Sequence, residues 1–433
     1  MTEMRPGAAN GPAASASVPQ AAQAALDDLE RFIERGTREF TRTNVALFAA
    51  GFTTFALIYC VQPIMPVFSQ EFGVSAAEAS LSLSLTTQSL AFCMLIASSL
   101  SETWGRKPVM VASLFASSVL MIASSFAPSW ESFLVLRALA GVAFSGLPAT
   151  AMAYVGEEMH IRSIGLAMGL YIGGTGLGAL GGRFIVGFMT DFLSWRVGLC
   201  TVGILALASS VVFVLYLPPS RHFRRRALSP TVLLGGFAAH LRDPIQLILF
   251  AEGFLLLGVF VSTYNYIGYR LLAPPYGFSQ TVVALIFGIS LVGIVSAAWI
   301  GDFAARLGRH RVFWALVTMI FAGILATLAE TLWLVLAGVT LLTFAFYGAH
   351  SVASSWVGVQ ARHAKAQASS LYLFSYYTGS SLLGSLGGVA WEHGRWPGVV
   401  AQSSVILVIA LGLAILLALR PPVRPAPVSE GLS

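Results

Sequence analysis

The sequence is poor in charge. Only 10% of its 433 residues are Asp, Glu, Lys or Arg, whereas 56% are hydrophobic. A soluble domain has roughly 25% charged residues. Because so few charged groups cannot cover the apolar surface, the composition excludes a water-soluble globular protein. It indicates a chain that lipid covers.

Cysteine and lysine are also scarce. The three cysteines lie in apolar stretches without metal-ligand spacing, which is typical of small buried side chains. The two lysines, Lys107 and Lys365, precede Pro108 and Ala366, so neither fits the Gly-Lys-Ser/Thr of a phosphate-binding loop. The sequence offers no catalytic or metal-binding set either. We therefore expect neither an enzyme nor a bound cofactor or metal ion.

Long apolar segments are what the sequence has instead. We count twelve, each near or above the ~20 residues that a helix needs to cross ~30 Å of hydrocarbon. They lie at approximately 44–68, 76–100, 108–127, 130–156, 163–190, 196–217, 244–272, 279–304, 311–328, 331–359, 366–390 and 397–419. The 42 glycines suit helices that pack closely in lipid. The sequence predicts an all-α membrane protein with twelve transmembrane helices.

The basic residues are distributed asymmetrically. If the N-terminus is cytoplasmic, the inner loops and tails hold 20 Lys and Arg residues and the outer edges hold three. This bias predicts a bacterial inner-membrane protein with both termini in the cytoplasm. It also accounts for the net charge of +6 without a nucleic-acid partner.

The longest internal polar stretch divides the chain. We predict an N-terminal six-helix bundle at 41–217 and a C-terminal one at 244–419, joined by a basic cytoplasmic linker at 218–243. Residues 1–40 are expected to be a disordered cytoplasmic tail that ends in an amphipathic surface helix from about residue 26. Residues 420–433 are expected to be a short cytoplasmic tail.

A polar motif occurs twice in the sequence. Residues 100–107 read Leu-Ser-Glu-Thr-Trp-Gly-Arg-Lys, and residues 301–309 read Gly-Asp-Phe-Ala-Ala-Arg-Leu-Gly-Arg, with their Gly-Arg pairs 203 residues apart. The same offset aligns Gln62 with Asn265. Repeated halves of a transporter enclose a central site near the midplane. We therefore predict that Gln62 and Asn265 face each other across a cavity.

These motifs resemble those of the major facilitator superfamily. Ser98-x-x-x-Glu102-x-x-Gly105-Arg106-Lys107 is similar to its G-x-x-x-D-R-x-G-R-K signature, with Ser, Glu and Thr103 in place of Gly, Asp and the first Arg. Arg137-x-x-x-Gly141 resembles its fourth-span motif. The resemblance implies two pseudo-symmetric six-helix bundles that work as a monomer.

The fifth span resembles the glycine-rich motif of the antiporter branch, although Gly178 or Ala179 stands where that motif has proline. Four short segments resemble the YnfM-type subgroup of drug, sugar and amino-acid efflux proteins. They are Tyr59-Cys60-Val61-Gln62-Pro63, Gly181-Gly182-Arg183-Phe184, Asn265-Tyr266-Ile267-Gly268 and Leu371-Tyr372-Leu373-Phe374.

The resemblance implies a conformational latch at the repeated motif. Its residues would be Glu102, Gly105, Arg106, Lys107, Glu157, Asp302, Gly308 and Arg309. Because Thr103 replaces a cation, we expect the N-terminal latch to be weak. The alternative is that the basic residues only follow the positive-inside rule.

Glycine spacings of three and four in the fifth span put a smooth stripe on one helix face. The residues concerned are Gly173, Gly174, Gly178, Gly181 and Gly182. We predict a sliding contact between the halves along this stripe, with ordinary tight packing as the alternative.

Glu252 is the one acidic residue of 19 that lies well inside a span. It is roughly 12 Å along the seventh helix, at ~1.5 Å per residue. A carboxyl removed from water favours its neutral form, so Glu252 is a candidate proton carrier. His350, the histidine within a span, is a second candidate. Each has a purely structural role as its alternative.

The predicted substrate cavity is lined by Tyr59, Gln62, Arg137, Tyr264, Asn265 and Tyr376. Aromatic rings with hydroxyls suit amphipathic organic substrates. Arg137 is expected to contact an anionic substrate group or to relay protonation, with a structural salt bridge as the alternative. Arg183 is expected to pair with Asp191.

These features favour a secondary transporter. We expect a proton-coupled antiporter that exports small organic molecules, drug-, sugar- or amino-acid-like, by alternating access. Its partners would be the lipid bilayer, the substrate and the proton. One alternative is a proton symporter or facilitator that imports sugars or organic acids. Another is a non-transporting receptor, although residues 420–433 are too short for a signalling domain.

Overall fold

The computed structural model of the protein describes residues 32–223, 225, 230–361 and 363–419. The predictions for residues 1–31 and 420–433 lie outside this part of the chain. The described residues form helices, together with one isolated parallel β-bridge between Ile33 and Met159. Residues 32–37 are not helical, which corrects the end of the predicted amphipathic helix: Ile33 is buried and bonded through its backbone to the end of the fourth span.

The described part contains fifteen α-helices and one 3₁₀ turn. They are α1 (Arg38–Tyr59), α2 (Met65–Phe72), α3 (Ala76–Trp104), α4 (Arg106–Ser125), α5 (Trp130–Phe144), α6 (Pro148–Glu158), α7 (Ile161–Phe192), α8 (Trp195–Tyr216), α9 (Pro230–His240), α10 (Pro244–Leu272), α11 (Gln280–Ile286), the 3₁₀ turn (Phe287–Leu291), α12 (Val292–Leu307), α13 (Arg309–Ala326), α14 (Leu332–Gln360) and α15 (Lys365–Ala418).

Ten segments of the described chain are long and apolar enough to cross a membrane. One of them, Gln367–Ala418, has 52 residues and is long enough to cross twice. Its helix breaks at Arg395, whose φ is 50°, just before Pro397. Helix α1 has 22 residues but begins with charged side chains, which lowers its apolar character. With α1 and the two parts of α15, the chain has the twelve predicted crossings.

Several helices start where the sequence supplies a side-chain cap. Ser75 and Glu78 form a capping box at α3, and Asp243 accepts hydrogen bonds from two backbone N–H groups at the start of α10, where Pro244 follows. Thr37, Ser129, Ser194 and Ser279 also cap helices with their hydroxyls. Capping satisfies backbone donors that lipid cannot satisfy.

Two pairs of helices make many of the contacts between the halves. Helix α3 contacts α15 at Ala77–Glu392, Ser84–Ser381, Gln88–Thr378 and Phe92–Phe374. Helix α7 contacts the α11–α12 region at Asp191–Thr281, Gly187–Ala284 and Gly176–Ile294. These contacts are concentrated towards the helix ends away from the two Gly-Arg loops. On the loop side, Gly165 and Gly169 of α7 face open space among the described atoms.

Candidate functional site

The first span is broken, and the break creates a polar centre. Helix α1 ends at Tyr59, and α2 begins only at Met65. A helix that stops leaves its last carbonyls without intrahelical partners. Two of these, on Leu57 and Ile58, accept hydrogen bonds of 3.0 Å from the two terminal nitrogens of Arg137. The break thereby turns Gln62 towards the other half.

The Arg137 side chain is engaged in hydrogen bonds to the backbone. Its Nε donates to the carbonyl of Ser82 at 2.8 Å, so the fully buried guanidinium ties α1, α3 and α5 together through three backbone carbonyls. Both predictions for Arg137 are therefore wrong: it neither opens onto a cavity nor pairs with an acid in the described part of the chain. A buried cation can be solvated by carbonyl dipoles as well as by a carboxylate.

Gln62 and Asn265 are in direct contact. The Gln62 side-chain nitrogen donates to Asn265 Oδ1 at 2.9 Å, across the two halves and across the 203-residue offset. Both side chains are buried. The sequence predicted that they would face each other across a cavity, and the structure joins them by a hydrogen bond instead.

Arg183 completes the centre. Its Nε and Nη2 both donate to Gln62 Oε1, at 2.9 and 2.6 Å. The expected pair with Asp191 is wrong, since eight residues along a helix separate the two by roughly 12 Å. Asp191 instead accepts hydrogen bonds from the backbone N–H groups of Gln280 and Thr281, at the positive end of α11.

Three aromatic rings surround the Arg183 guanidinium. Its central carbon lies 5.1 Å from the ring centroid of Tyr59, 5.7 Å from that of Tyr264 and 5.5 Å from that of Phe287. Such cation–π contacts stabilise a desolvated cation. The Tyr264 hydroxyl is bonded to Thr343 at 2.9 Å, so Tyr264 contributes a buried ring and not a free hydroxyl. Sequence reasoning placed Arg183 outside the site; its position within a span was the available signal.

Glu252 lies in a second cluster, in the C-terminal half. It is fully buried, and neither carboxyl oxygen has a hydrogen-bond partner among the described residues. The backbone beside it packs on Tyr372: a Cβ on Gly253 would stand 2.8 Å from that ring. The Tyr372 hydroxyl shares a 2.9 Å hydrogen bond with His350 Nδ1. The ring of Tyr376 also packs against the His350 imidazole, with 4.5 Å between the ring centroids.

The structure thus brings both proton-coupling candidates to one tyrosine. Tyr372, which the sequence reasoning did not select, lies between the Glu252 segment and His350. The sequence signal that could have identified Tyr372 was its place in the Leu371–Phe374 segment, which resembles the efflux subgroup. The rings of Tyr372, Tyr376 and Phe346 enclose the imidazole. This cluster is a set of ionisable groups in an apolar setting.

The N-terminal Gly-Arg loop holds a partly buried ion pair. Gly105 has a φ of 100°, which favours glycine, and it turns the chain so that Arg106 reaches α6. The Arg106 guanidinium donates to both carboxylate oxygens of Glu157, at 2.7 and 3.2 Å, whereas Glu102 lies 4.0 Å away. Lys107 is not part of this pair, because it donates to the carbonyls of Val214 and Leu217 at the end of α8.

The second loop repeats the turn but not the ion pair. Gly308 has a φ of 96°, like its counterpart. Arg309 donates to the hydroxyl of Ser355 at 3.2 Å. Asp302 pairs with Arg306 one turn further along the same helix, at 2.8 Å, and both side chains are exposed.

The glycine stripe lies within one half. Gly174, Gly178 and Gly182 pack on the backbone of α1, where added Cβ atoms would stand 2.1–2.6 Å from carbonyl oxygens. Gly181 meets the ring of Phe52, and Gly173 faces open space among the described atoms. The predicted sliding contact between the halves is therefore wrong for this stripe. Neighbouring Gly176 and Gly187 touch the other half instead.

Several known proteins are similar to this chain in sequence. The family model described as Major Facilitator Superfamily matches residues 47–273. The chain is 48% identical over 383 residues to the MFS-type transporter YybF of Bacillus subtilis, covering 88% of this chain and 95% of that protein. It is 49% identical over 381 residues to the inner membrane transport protein YnfM of Escherichia coli, covering 88% and 91%.

The fold is similar to a solved transporter structure. A bacterial homolog of the human lysosomal transporter Spinster, in an inward-facing and unoccupied conformation, superimposes with a TM-score of 0.72. The match covers 88% of this chain and 98% of that one at 15% identity, so it speaks for the fold alone. With two halves, twelve crossings and relatives of nearly half identity, the chain belongs to the major facilitator superfamily and is a multi-pass membrane transporter, not an enzyme.

Proposed function

We propose that the protein is a proton-coupled antiporter that exports small organic molecules across the bacterial inner membrane by alternating access. In this proposal it works as a monomer with both termini in the cytoplasm. The contacts between the halves support alternating access, because they are concentrated towards one end of the helices. The charge bias of the loops makes that end the outer one.

The observation that carries proton coupling is the isolated carboxyl of Glu252. A buried carboxylate without a hydrogen-bond partner is very unfavourable, so Glu252 is neutral when enclosed as it is here. A conformation that admits water to Glu252 would let it release the proton. Its protonation is thereby linked to the change of conformation.

Tyr372 and His350 support the same assignment. They supply a hydroxyl and an imidazole, 2.9 Å apart, next to the Glu252 segment. These groups can exchange protons or stabilise the ionised carboxylate by hydrogen bonds. The two arginines buried at the centre of the described chain, Arg137 and Arg183, are permanent cations and cannot carry the proton.

The Arg106–Glu157 pair is the proposed latch of the N-terminal half. Its bidentate geometry and its largely buried guanidinium favour the conformation in which α4 and α6 approach each other. Arg309 would play the weaker part in the other half.

The test is transport into inverted membrane vesicles with an acidic lumen, with dyes, sugars and amino acids as substrates. Export by proton exchange predicts uptake that stops when the pH gradient is dissipated. Glu252→Gln keeps the shape of the side chain, and it should abolish gradient-driven uptake while substrate counterflow persists. Glu330→Gln, at an exposed position, is the matched control. Full gradient-driven uptake by Glu252→Gln would contradict the proposed coupling.

A further inference from the structure

We propose that this transporter binds a small organic anion of the carboxylate class between Arg183 of the N-terminal half and Asn265 of the C-terminal half. The inference rests on the proposed transport function and names the class of substrate. The carboxylate would occupy the polar centre at the break of the first span.

The orientation of both amides follows from Arg183. A guanidinium group can only donate hydrogen bonds, so Gln62 must turn its oxygen towards Arg183. The Gln62 NH₂ group then faces Asn265, which must accept with its oxygen. The Asn265 NH₂ group is consequently turned away from Gln62.

Two donors remain unsatisfied at this centre. Arg183 Nη1 and Asn265 Nδ2 are both buried, and neither has a hydrogen-bond partner in the described part of the chain. Arg183 is only 3% exposed and Asn265 is not exposed at all. Both are bonded to the same amide, so both lie next to Gln62. Buried donors without acceptors are unfavourable, and a ligand with acceptor oxygens would satisfy them.

The charge at the centre selects an anion. Within the described residues, no carboxylate forms a salt bridge with Arg183, and Asp191 is engaged at the start of α11. The ring faces of Tyr59, Tyr264 and Phe287 offset part of the positive charge, but none of these side chains carries a negative charge. A carboxylate supplies both the negative charge and two acceptor oxygens. A neutral ligand supplies only acceptors, and a cation is repelled.

Such a ligand would join the halves. Arg183 belongs to α7 and Asn265 to α10, and Gln62 already links them by hydrogen bonds. An anion that accepts from both donors adds to this link, so it binds best to the conformation in which these contacts are made. Anion binding would therefore shift the conformational equilibrium towards that state.

The test measures binding without any gradient. Purified protein in lipid nanodiscs is titrated with acetate, benzoate and succinate, and in parallel with benzamide and benzylamine, with thermal unfolding and equilibrium binding as readouts. We expect carboxylates to bind and stabilise the protein, and benzamide and benzylamine to bind at least about tenfold more weakly.

Variants define the site. Arg183→Gln should weaken carboxylate binding at least about tenfold, and Asn265→Asp, which is isosteric but adds a negative charge, should weaken it further than Asn265→Ala. Arg242→Gln, at an exposed position in the linker, is the control and should bind as the parent protein does. If Arg183→Gln does not fold, the comparison of Asn265→Asp with Asn265→Ala still tests the inference.

Three outcomes would overturn the inference: no carboxylate binds, the amide or amine binds as tightly as the acid, or the Arg183 and Asn265 variants bind carboxylates like the parent protein. Each of these leaves the pH-gradient transport assay untouched. Conversely, carboxylate binding together with gradient-independent transport would overturn the proton coupling and keep the binding site.

Discussion

The two halves share a scaffold but differ in their polar residues. With an offset of 203 residues, Gln62 aligns with Asn265, and the two are bonded to each other. At four other aligned positions within the spans, only one half has an ionisable side chain. Arg137 and Arg183 correspond to Thr340 and Leu386, whereas Glu252 and His350 correspond to Ala49 and Leu147.

The Gly-Arg loops differ in the same way. Both glycines have a positive φ, so both turns are built alike. Glu157, which pairs with Arg106, corresponds to Gln360, and that amide donates to Asp243 instead. The ion pair of the N-terminal loop joins two helices, whereas the Asp302–Arg306 pair of the C-terminal loop lies within one helix. Both halves therefore keep the turn of the backbone, while the ionisable groups well inside the spans differ: Arg137 and Arg183 lie in one half, and Glu252 and His350 lie in the other.

Loss of Arg137 should have the largest effect on stability. Arg137→Leu removes three hydrogen bonds to buried backbone carbonyls, which we expect to cost at least about 3 kcal/mol of unfolding free energy. Thr340→Ala, its C-terminal counterpart, should cost less than about 1 kcal/mol, because Thr340 bonds only within its own helix. Thermal unfolding in detergent measures both, and equal losses would contradict the assigned role of Arg137.

Close packing of helices should be equally important in both halves. Gly178→Ala and Gly379→Ala would place a Cβ 2.1 and 1.9 Å from the carbonyl oxygens of Phe52 and Phe254. We expect each to destabilise by about 1–3 kcal/mol. Gly173→Ala has free space and should be neutral or slightly stabilising. A large loss at Gly173, measured by the same unfolding assay, would restore the sliding contact that the sequence predicted.

The smallest effect distinguishes the two loops. Glu157→Gln removes the negative charge that pairs with the largely buried Arg106 guanidinium. Because Glu157 is itself partly exposed, the change should cost about 0.5–1.5 kcal/mol. Arg309→Gln, whose partner is a serine hydroxyl, should cost about 0.5 kcal/mol or less. Unfolding temperatures and initial transport rates check the pair. A C-terminal loop as sensitive as the N-terminal one would remove the asymmetry.

Much of the fold was predictable, because lipid imposes a local rule on the chain. A crossing needs about 20 apolar residues, and this length can be read from each segment without knowledge of its neighbours. The twelve crossings and the two halves were predicted on that basis. The break between Tyr59 and Met65 was not, because Gln62 and Pro63 alone do not say how the freed carbonyls are satisfied.

The sequence pointed to some of the residues in the two polar clusters but not to their pairings. Gln62, Asn265, Glu252 and His350 stood out as polar residues in apolar spans. The partner of Arg183, however, is 121 residues away in the sequence, on another helix. The nearby Asp191 looked like a partner, yet it lies more than two helical turns further along and bonds to the other half.

By itself, the sequence determined the membrane environment, the number of crossings and the duplication, because each follows from the hydropathy and spacing of short segments. Only the tertiary structure decided which buried polar groups are satisfied. Arg137 donates to three backbone carbonyls, while among the residues that the structure describes Arg183 Nη1 and both carboxyl oxygens of Glu252 have no hydrogen-bond partner. The reason is that in a medium without water a polar side chain takes its partner from whichever helix packs beside it.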